Sequence, residues 1–225
     1  MTCGDRAPGA TRKSVTRMPF DLQPILQGAL LALRPLRAED FQDLYAVASD
    51  PLIWEQHPAA DRYTPEVFTA FFRDALESGG ALIATDTGDG RVIGSSRFHG
   101  YDEQRSEIEI GWTFLARSHW GGACNREMKE LMLRHAFRFV HSVVFLVGPR
   151  NLRSQKAMEK IGGVRVESRR DGSGRESVVY EIRRGDRSST DLPPEEPEKK
   201  SVNSQRQRLS RAQLLIGVRP HLQNP

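Results

Sequence analysis

A run rich in small residues, Arg117-Ser118-His119-Trp120-Gly121-Gly122-Ala123-Cys124-Asn125-Arg126-Glu127, joins a strand-like segment to a helix-like one. Backbone N–H groups at such a helix start have no partner within the helix, and they favour a negative group such as a phosphate. Gly121, Gly122 and Ala123 let that group approach the backbone closely, and Arg126 adds a charged contact. The competing reading is a tight connector, since paired glycines before a helix are common. Glu107 and Glu109 stand two residues apart, which places both carboxylates on one face of a strand, with Ile108 and Ile110 on the other. Cys124 lies near a helix start, where a thiol can become nucleophilic, and His119 or His135 could accompany it. The simpler reading is a buried small apolar residue. His119, His135 and His141 lack metal-ligand spacing. Cys3 and Cys124 are too few for a disulfide framework or a four-thiolate zinc site, so no metal is expected.

The surrounding pattern supplies elements to hold these residues. Residues 29–36 read as a first strand. The segment 40–49 carries Phe41, Leu44, Tyr45, Val47 and Ala48 at helical spacing and is stopped by Asp50-Pro51. Thr64-Pro65-Glu66 opens a second helix with a hydroxyl at the cap and proline at the first helical position. Val67, Phe68, Phe71, Phe72, Ala75 and Leu76 give it one apolar face, and Gly79-Gly80 closes it. Strands are expected over 81–85, 91–99 and 106–114, a long helix over 122–140, and a strand buried on both faces over 142–147. A helix over 151–161 and a hairpin of 164–168 with 177–182 complete the series. This order predicts an α/β fold: a mixed sheet of about seven strands with helices on both faces.

The chain has 225 residues, of which 38% are hydrophobic and 28% charged, with a net charge of +4. No apolar run approaches the roughly 20 residues of a membrane span. The basic start is not followed by a signal-peptide core, so a cytoplasmic location and no membrane partner are expected. Residues 1–19 and 184–225 each carry a net +3, which leaves −2 on residues 20–183. The basic character therefore belongs to the ends, and a nucleic-acid partner is not expected of the middle. The segment after Ile182 has no aromatic residue and contains five prolines, too little apolar surface to offset ordering. The expected organisation is one domain over 20–183 between disordered tails at 1–19 and 184–225. Leu214-Leu215-Ile216 is a short apolar patch that could form a turn of helix or dock on a partner.

From about Leu30 to Ile182 the chain resembles the GNAT acyl-coenzyme A-dependent N-acetyltransferases, most closely the branch containing the ribosomal-protein alanine N-acetyltransferases. Three pieces carry the resemblance. Leu33-Arg34-Pro35-Leu36-Arg37-Ala38-Glu39-Asp40 is similar to that branch's first strand and entry into its first helix. Glu109-Ile110-Gly111-Trp112-Thr113-Phe114, followed by His119-Trp120-Gly121-Gly122, is similar to its fourth strand and pyrophosphate loop. Asn151-Leu152-Arg153-Ser154, ending in Lys160-Ile161-Gly162-Gly163, is similar to the helix that lies along the pantetheine arm. There are departures. The family loop is usually Gln/Arg-x-x-Gly-x-Gly/Ala, and the matching positions here hold Trp120, Ala123 and Asn125. Met158 stands where many members carry the tyrosine that protonates the leaving thiolate, and Gly163 replaces a phenylalanine.

The resemblance implies acetyl-CoA as co-substrate and a primary amine, on a protein N-terminus or a small molecule, as acceptor. It implies cofactor contacts from Gly111, Trp112, Thr113, Gly121, Gly122, Ala123, Cys124, Asn125, Arg126, Asn151 and Ser154. Strands four and five are expected to splay, exposing an edge near Gly111–Thr113 whose N–H faces the thioester oxygen, with Gly111 suited to a bulge. Glu109 is the expected base for the amine proton and Glu107 the weaker choice. Asn151 is expected at the cofactor's amide region or as a helix cap. Ser154 is the remaining hydroxyl near the thiolate. Trp54, Trp112 and Trp120 read mainly as core, with lining of the acceptor groove the alternative for Trp54; His57, Tyr63, Phe98 and His99 fall where acceptor residues lie in this fold. A monomer or homodimer is expected. Two rivals are a non-catalytic acyl-CoA-binding or regulatory module on the same fold, and a ribosome- or nucleic-acid-associated binder acting through the basic tails.

Overall fold

The structure, a computed structural model, describes residues 19–172 and 174–186. Most of both tails, including Leu214-Leu215-Ile216, lies outside the described residues. Eight strands form one sheet: β1 (Leu26–Gln27), β2 (Leu31–Pro35), β3 (Ala81–Asp86), β4 (Val92–Asp102), β5 (Glu107–Leu115), β6 (Ser142–Val147), β7 (Val164–Arg170) and β8 (Glu176–Arg183). The helices are α1 (Phe41–Ala48), α2 (Pro65–Glu77), α3 (Ala123–Ala136) and α4 (Leu152–Lys160). The sheet order is β1-β2-β3-β4-β5-β6-β8-β7. Every neighbouring pair is antiparallel except β5 with β6.

Strand alternation sorts the core into two layers. Leu82 and Ala84 point to one side with Leu31, Leu33, Ile108, Ile110, Val143 and Phe145, where Met128, Leu131 and Met132 of α3 and Met158 of α4 cover them. Ala81 and Ile83 point to the other with Leu36 and Phe114, beneath Leu44 and Ala48 of α1 and Phe68, Phe71, Phe72 and Ala75 of α2. The mixed sheet with helices on both faces is as the periodicity predicts, with eight strands rather than seven.

The extra strand is β1. Two residues carry no readable alternation, and what fixes them is distant in sequence. The Glu127 carboxylate accepts N–H groups from Ala29 (2.8 Å), Leu30 (2.8 Å) and Leu31 (3.0 Å), which ties the β1–β2 turn to α3. Two helix ends also differ from expectation. Helix α3 stops at Ala136 because Arg138 and Phe139 donate to the carbonyls of His135 and Ala136, three residues back, and this tightens the last turn. At the start of α2 the Thr64 hydroxyl makes no capping bond; Pro65 sets the first turn, and the Thr64 carbonyl accepts the Phe68 N–H.

Candidate active site

Strand β5 is the element on which the site is built. It pairs with β6 only at Glu107–Ser142, Ile108–Val143 and Glu109–Val144, and beyond Glu109 the two parallel strands part. The β5 edge from Ile110 to Leu115 thus has no β6 partner and offers its backbone groups to a ligand. On its other side β5 carries a bulge. Gly111 lies opposite Arg97 and Phe114 opposite Ser95, so three steps of β5 match two of β4. The left-handed residue of the bulge is Trp112, at φ 51°, and not Gly111 as the sequence suggests. Gly111 is required for a different reason: a Cβ there would lie 2.9 Å from Oε1 of Glu109. The expected base therefore folds its carboxylate over the strand at the point where the sheet opens.

The extra residue changes which way β5 points. Glu109 faces the α1–α2 side of the sheet, and so does Trp112, which packs against that core layer. Thr113 turns to the α3 side, where its hydroxyl meets Ser96 Oγ at 2.7 Å and receives a hydrogen bond from Lys129 Nζ at 2.5 Å. Lys129 is 2% exposed, and its ammonium lies 5.3 Å from the centre of the Phe145 ring on β6. The lysine thus reaches into the fork between β5 and β6 directly behind the bulge. Burial pushes the Glu109 carboxyl up to about 7, against the opposing pull of Arg169, Arg97 and Lys129. Burial pushes Lys129 down to about 7, with Glu109 acting the other way. Burial thus moves both groups from their ordinary ranges towards neutrality, a direction that suits proton transfer. Glu107 lacks this setting: it lies 3.8 Å from the Arg169 guanidinium as a partner in an ion pair.

The small-residue loop lies at the start of α3. Gly121 adopts φ 69°, and a Cβ at Gly121 or Gly122 would meet nothing within 4 Å, so the backbone there stands clear. Ala123 is the first residue of α3, and no side chain caps its N–H groups. Asn125 and Arg126 follow in the first turn, Arg126 being 3.9 Å from Glu130. These groups fit a phosphate-bearing ligand. Cys124 packs against the core at this turn, and burial raises its thiol pKa, the direction opposite to that of an activated nucleophile. His119 contacts Asp86 Oδ2 at 3.2 Å, away from the fork.

Across the fork, Asn151 is buried and its Oδ1 accepts the Ser154 N–H at 3.1 Å, so it caps α4. Ser154 stands in the first turn of that helix, and Met158 is buried on its core side. Arg153 crosses to the α1–α2 segment, donating from Nη2 to the Ile53 carbonyl (2.8 Å) and stacking 4.0 Å from the centre of the Trp120 ring. Gln56 Oε1 accepts the Arg153 N–H at 3.1 Å. The two walls of the fork are thereby tied together at this end.

The acceptor-side expectations divide. Trp54, His57, His99 and Trp112 gather on the α1–α2 face of the sheet, linked by ring contacts of 5.6 Å (Trp54–His57) and 5.1 Å (His99–Trp112). Phe98 does not belong there. It points to the opposite face, 1% exposed, against Phe20 and His135, because it alternates with Arg97 and His99. Tyr63 is exposed. Three residues escaped the sequence reading: Lys129, Arg62 and Arg97. Lys129 had a readable signal, since it lies three residues before Met132 and four before Leu133 within an apolar stripe. The clefts lined by Asp86, Asp89, Arg91, Val92, Ala116 and Ser118 include none of Lys129, Arg62 and Arg97.

The splayed parallel pair, the bulged strand and the open helix start are the features that the resemblance to the GNAT acetyltransferases implies, and comparison with known proteins agrees. Residues 31–164 match the family described as acetyltransferase (GNAT) domain, so the chain belongs to the GNAT acetyltransferases. A protein of T. thermophilus assigned as an acetyltransferase is 29% identical over 74% of this chain and 90% of its own, with a TM-score of 0.58. A Vibrio cholerae protein assigned as a ribosomal-protein-serine acetyltransferase shares the fold at 11% identity (71% and 97% covered, TM-score 0.60). So does the spermidine N-acetyltransferase of Vibrio cholerae, solved with CoA and spermine, at 15% identity (69% and 96% covered, TM-score 0.52). No curated protein matches the chain. Among the described residues no group of three or more His, Cys, Asp and Glu side chains is placed to hold a metal ion, and no helix is long and apolar enough to cross a membrane.

Proposed function

We propose that the protein transfers an acetyl group from acetyl-CoA to a primary amine, on a protein N-terminus or a small molecule. The observation that carries this reading is Glu109 at the vertex where β5 leaves β6, its carboxylate against Gly111 and its pKa raised to about 7. Bound acetyl-CoA supplies a thioester whose carbonyl carbon forms a bond to the amine nitrogen as the carbon–sulfur bond breaks. The α3 start, from Gly121 to Arg126, holds the phosphates, and the free β5 edge over Gly111–Thr113 pairs with the cofactor's amide groups. Glu109 takes the proton that the amine must lose. Lys129, behind Thr113, brings positive charge to the side of the bulge where negative charge develops. Ser154 is the hydroxyl left for the thiolate, since Met158 has no proton to give. The motifs 33–40, 109–122 and 151–163 support a place in the branch containing the ribosomal-protein alanine N-acetyltransferases.

Met158 favours a second reading, an acyl-CoA-binding module without turnover. Mass spectrometry separates the two: incubation with acetyl-CoA, peptide N-termini and small amines yields an acetylated amine if the protein is a transferase. A protein that binds acetyl-CoA, shown by a raised melting temperature, yet acetylates nothing is the binding module.

A further inference from the structure

We infer that the acceptor carries an anionic oxygen group, a carboxylate or phosphate, close to the amine that is acetylated; this rests on the transferase reading above. The observation is a pair of guanidinium groups, Arg97 buried and Arg62 half-buried, without anionic hydrogen-bond partners. Arg97 is 5% exposed, yet its Nε and Nη2 are buried with no hydrogen-bond partner among the described residues. The same holds for Nε of Arg62. A guanidinium taken out of water and left unpaired is costly, and a bound oxyanion is one partner that would satisfy it.

The surroundings make the cluster a receptor and not a folded-in ion pair. Arg62 lies 5.0 Å from the centre of the Trp54 ring and 4.4 Å from that of Phe71. Arg97 lies 4.7 Å from Trp112 and 5.8 Å from the same Phe71. The aromatic rings flank both guanidinium groups and offer no oxygen acceptor to their N–H groups. His57 does not serve as that acceptor. Its Nδ1 already accepts the Ala59 N–H at 2.9 Å, so its Nε2, 3.4 Å from Arg62 Nη1, carries the proton and faces a second donor. Arg175 adds further positive potential to His57 and Arg62. Against these, Glu109 and Asp74 act on Arg97 only through space.

The position is the one an acceptor must occupy. Arg97 is paired across the sheet with Gly111, the residue that carries the Glu109 carboxylate against it, and both point to the α1–α2 face. An amine at Glu109 and an oxyanion at Arg97 and Arg62 are therefore held by neighbouring positions of β4 and β5 and by the α1–α2 loop. Bidentate guanidinium contacts suit carboxylate and phosphate oxygens, and the same charges repel polycations. A polyamine of the kind bound by the Vibrio cholerae fold relative is disfavoured here.

The test is thiol release from acetyl-CoA with matched amines: glycine, β-alanine, glutamate and phosphoethanolamine against glycinamide, ethanolamine and spermidine. A site built for an oxyanion rejects an analogue lacking it strongly, so kcat/KM is expected to favour the anionic amines by at least ~10²-fold. Arg62→Gln and Arg97→Gln should each collapse that ratio by at least ~10-fold. A second arm, quenching of Trp54 and Trp112 fluorescence by succinate and by inorganic phosphate, reads the anion site without turnover and covers a variant that folds poorly. Preference for glycinamide, ethanolamine or spermidine, or quenching by neither anion, overturns the proposal while leaving the transferase intact. Quenching without thiol release from any amine overturns the transferase reading and, with it, the assignment of the anion to an acceptor.

Discussion

Glu109 and Gly111 act as one unit at the residue scale. The carboxylate lies where the Gly111 side chain would be, so Gly111→Ala must push it aside. The displaced atoms are the end of a flexible side chain, and the cost in stability is small. The expected outcome is a kcat lowered by at least ~10-fold with Tm nearly unchanged, read by steady-state kinetics beside a melting curve. Lys129 predicts a different combination. Its folded pKa, about 7, lies below its ordinary 10.5. Below pH 7 the buried ammonium is charged in both the folded and the unfolded chain, and folding bears the whole cost of burying it. That cost is relieved as pH rises from about 7 towards 10.5, where the folded form sheds its proton first. Lys129→Met should therefore raise stability by about 1–4 kcal/mol at acidic pH, less so at alkaline pH, while lowering kcat. Loss of both stability and activity would make Lys129 a structural residue that holds Thr113.

At the scale of elements, β5 and the start of α3 decide what the sheet can hold. Ala123→Leu places a branched side chain where phosphates would approach the first turn of α3. It should abolish the melting shift given by acetyl-CoA, about 2.7 kcal/mol for a ligand at 100 times its dissociation constant, without lowering the melting temperature of the free protein. An unchanged shift removes this loop from the site. Much of this scale was legible in sequence. Strands β3 to β6 could be read because apolar residues alternate or run continuously between turn residues, and the α3 loop because two glycines precede a helical stripe. The bulge was legible as a place but not as a conformation. Glycine tolerates a positive φ most readily, yet Trp112 adopts it, at a typical cost of about 1–3 kcal/mol that contacts must offset. The Arg97 guanidinium 4.7 Å from its ring is one such contact. The Arg62–Arg97 cluster was not legible, because it joins residues from a loop and a strand 35 positions apart and its meaning lies in partners that are missing.

The whole molecule separates its chemistry from its charge. The net −2 of residues 20–183 and the net +3 of each end assign the basic excess to the two ends of the sequence. Removing 1–18 and 187–225 should leave cooperative unfolding and acetyl-CoA binding unchanged, since β8 ends at Arg183 and the Arg184 N–H closes on the His141 carbonyl. A trimmed protein that loses binding would place part of the site in those ends. The proposed reaction turns on one carboxylate, that of Glu109, and the rate of amine-dependent thiol release from acetyl-CoA, followed across pH, tests that role most directly. With Glu109 raised to about 7 and required without its proton, the wild-type rate should climb through neutral pH and fall away on the acid side. Glu109→Gln should lower kcat by at least ~10²-fold and flatten that acid limb. Release that does not depend on an amine, or a Gln variant with the wild-type rate and pH profile, would contradict it.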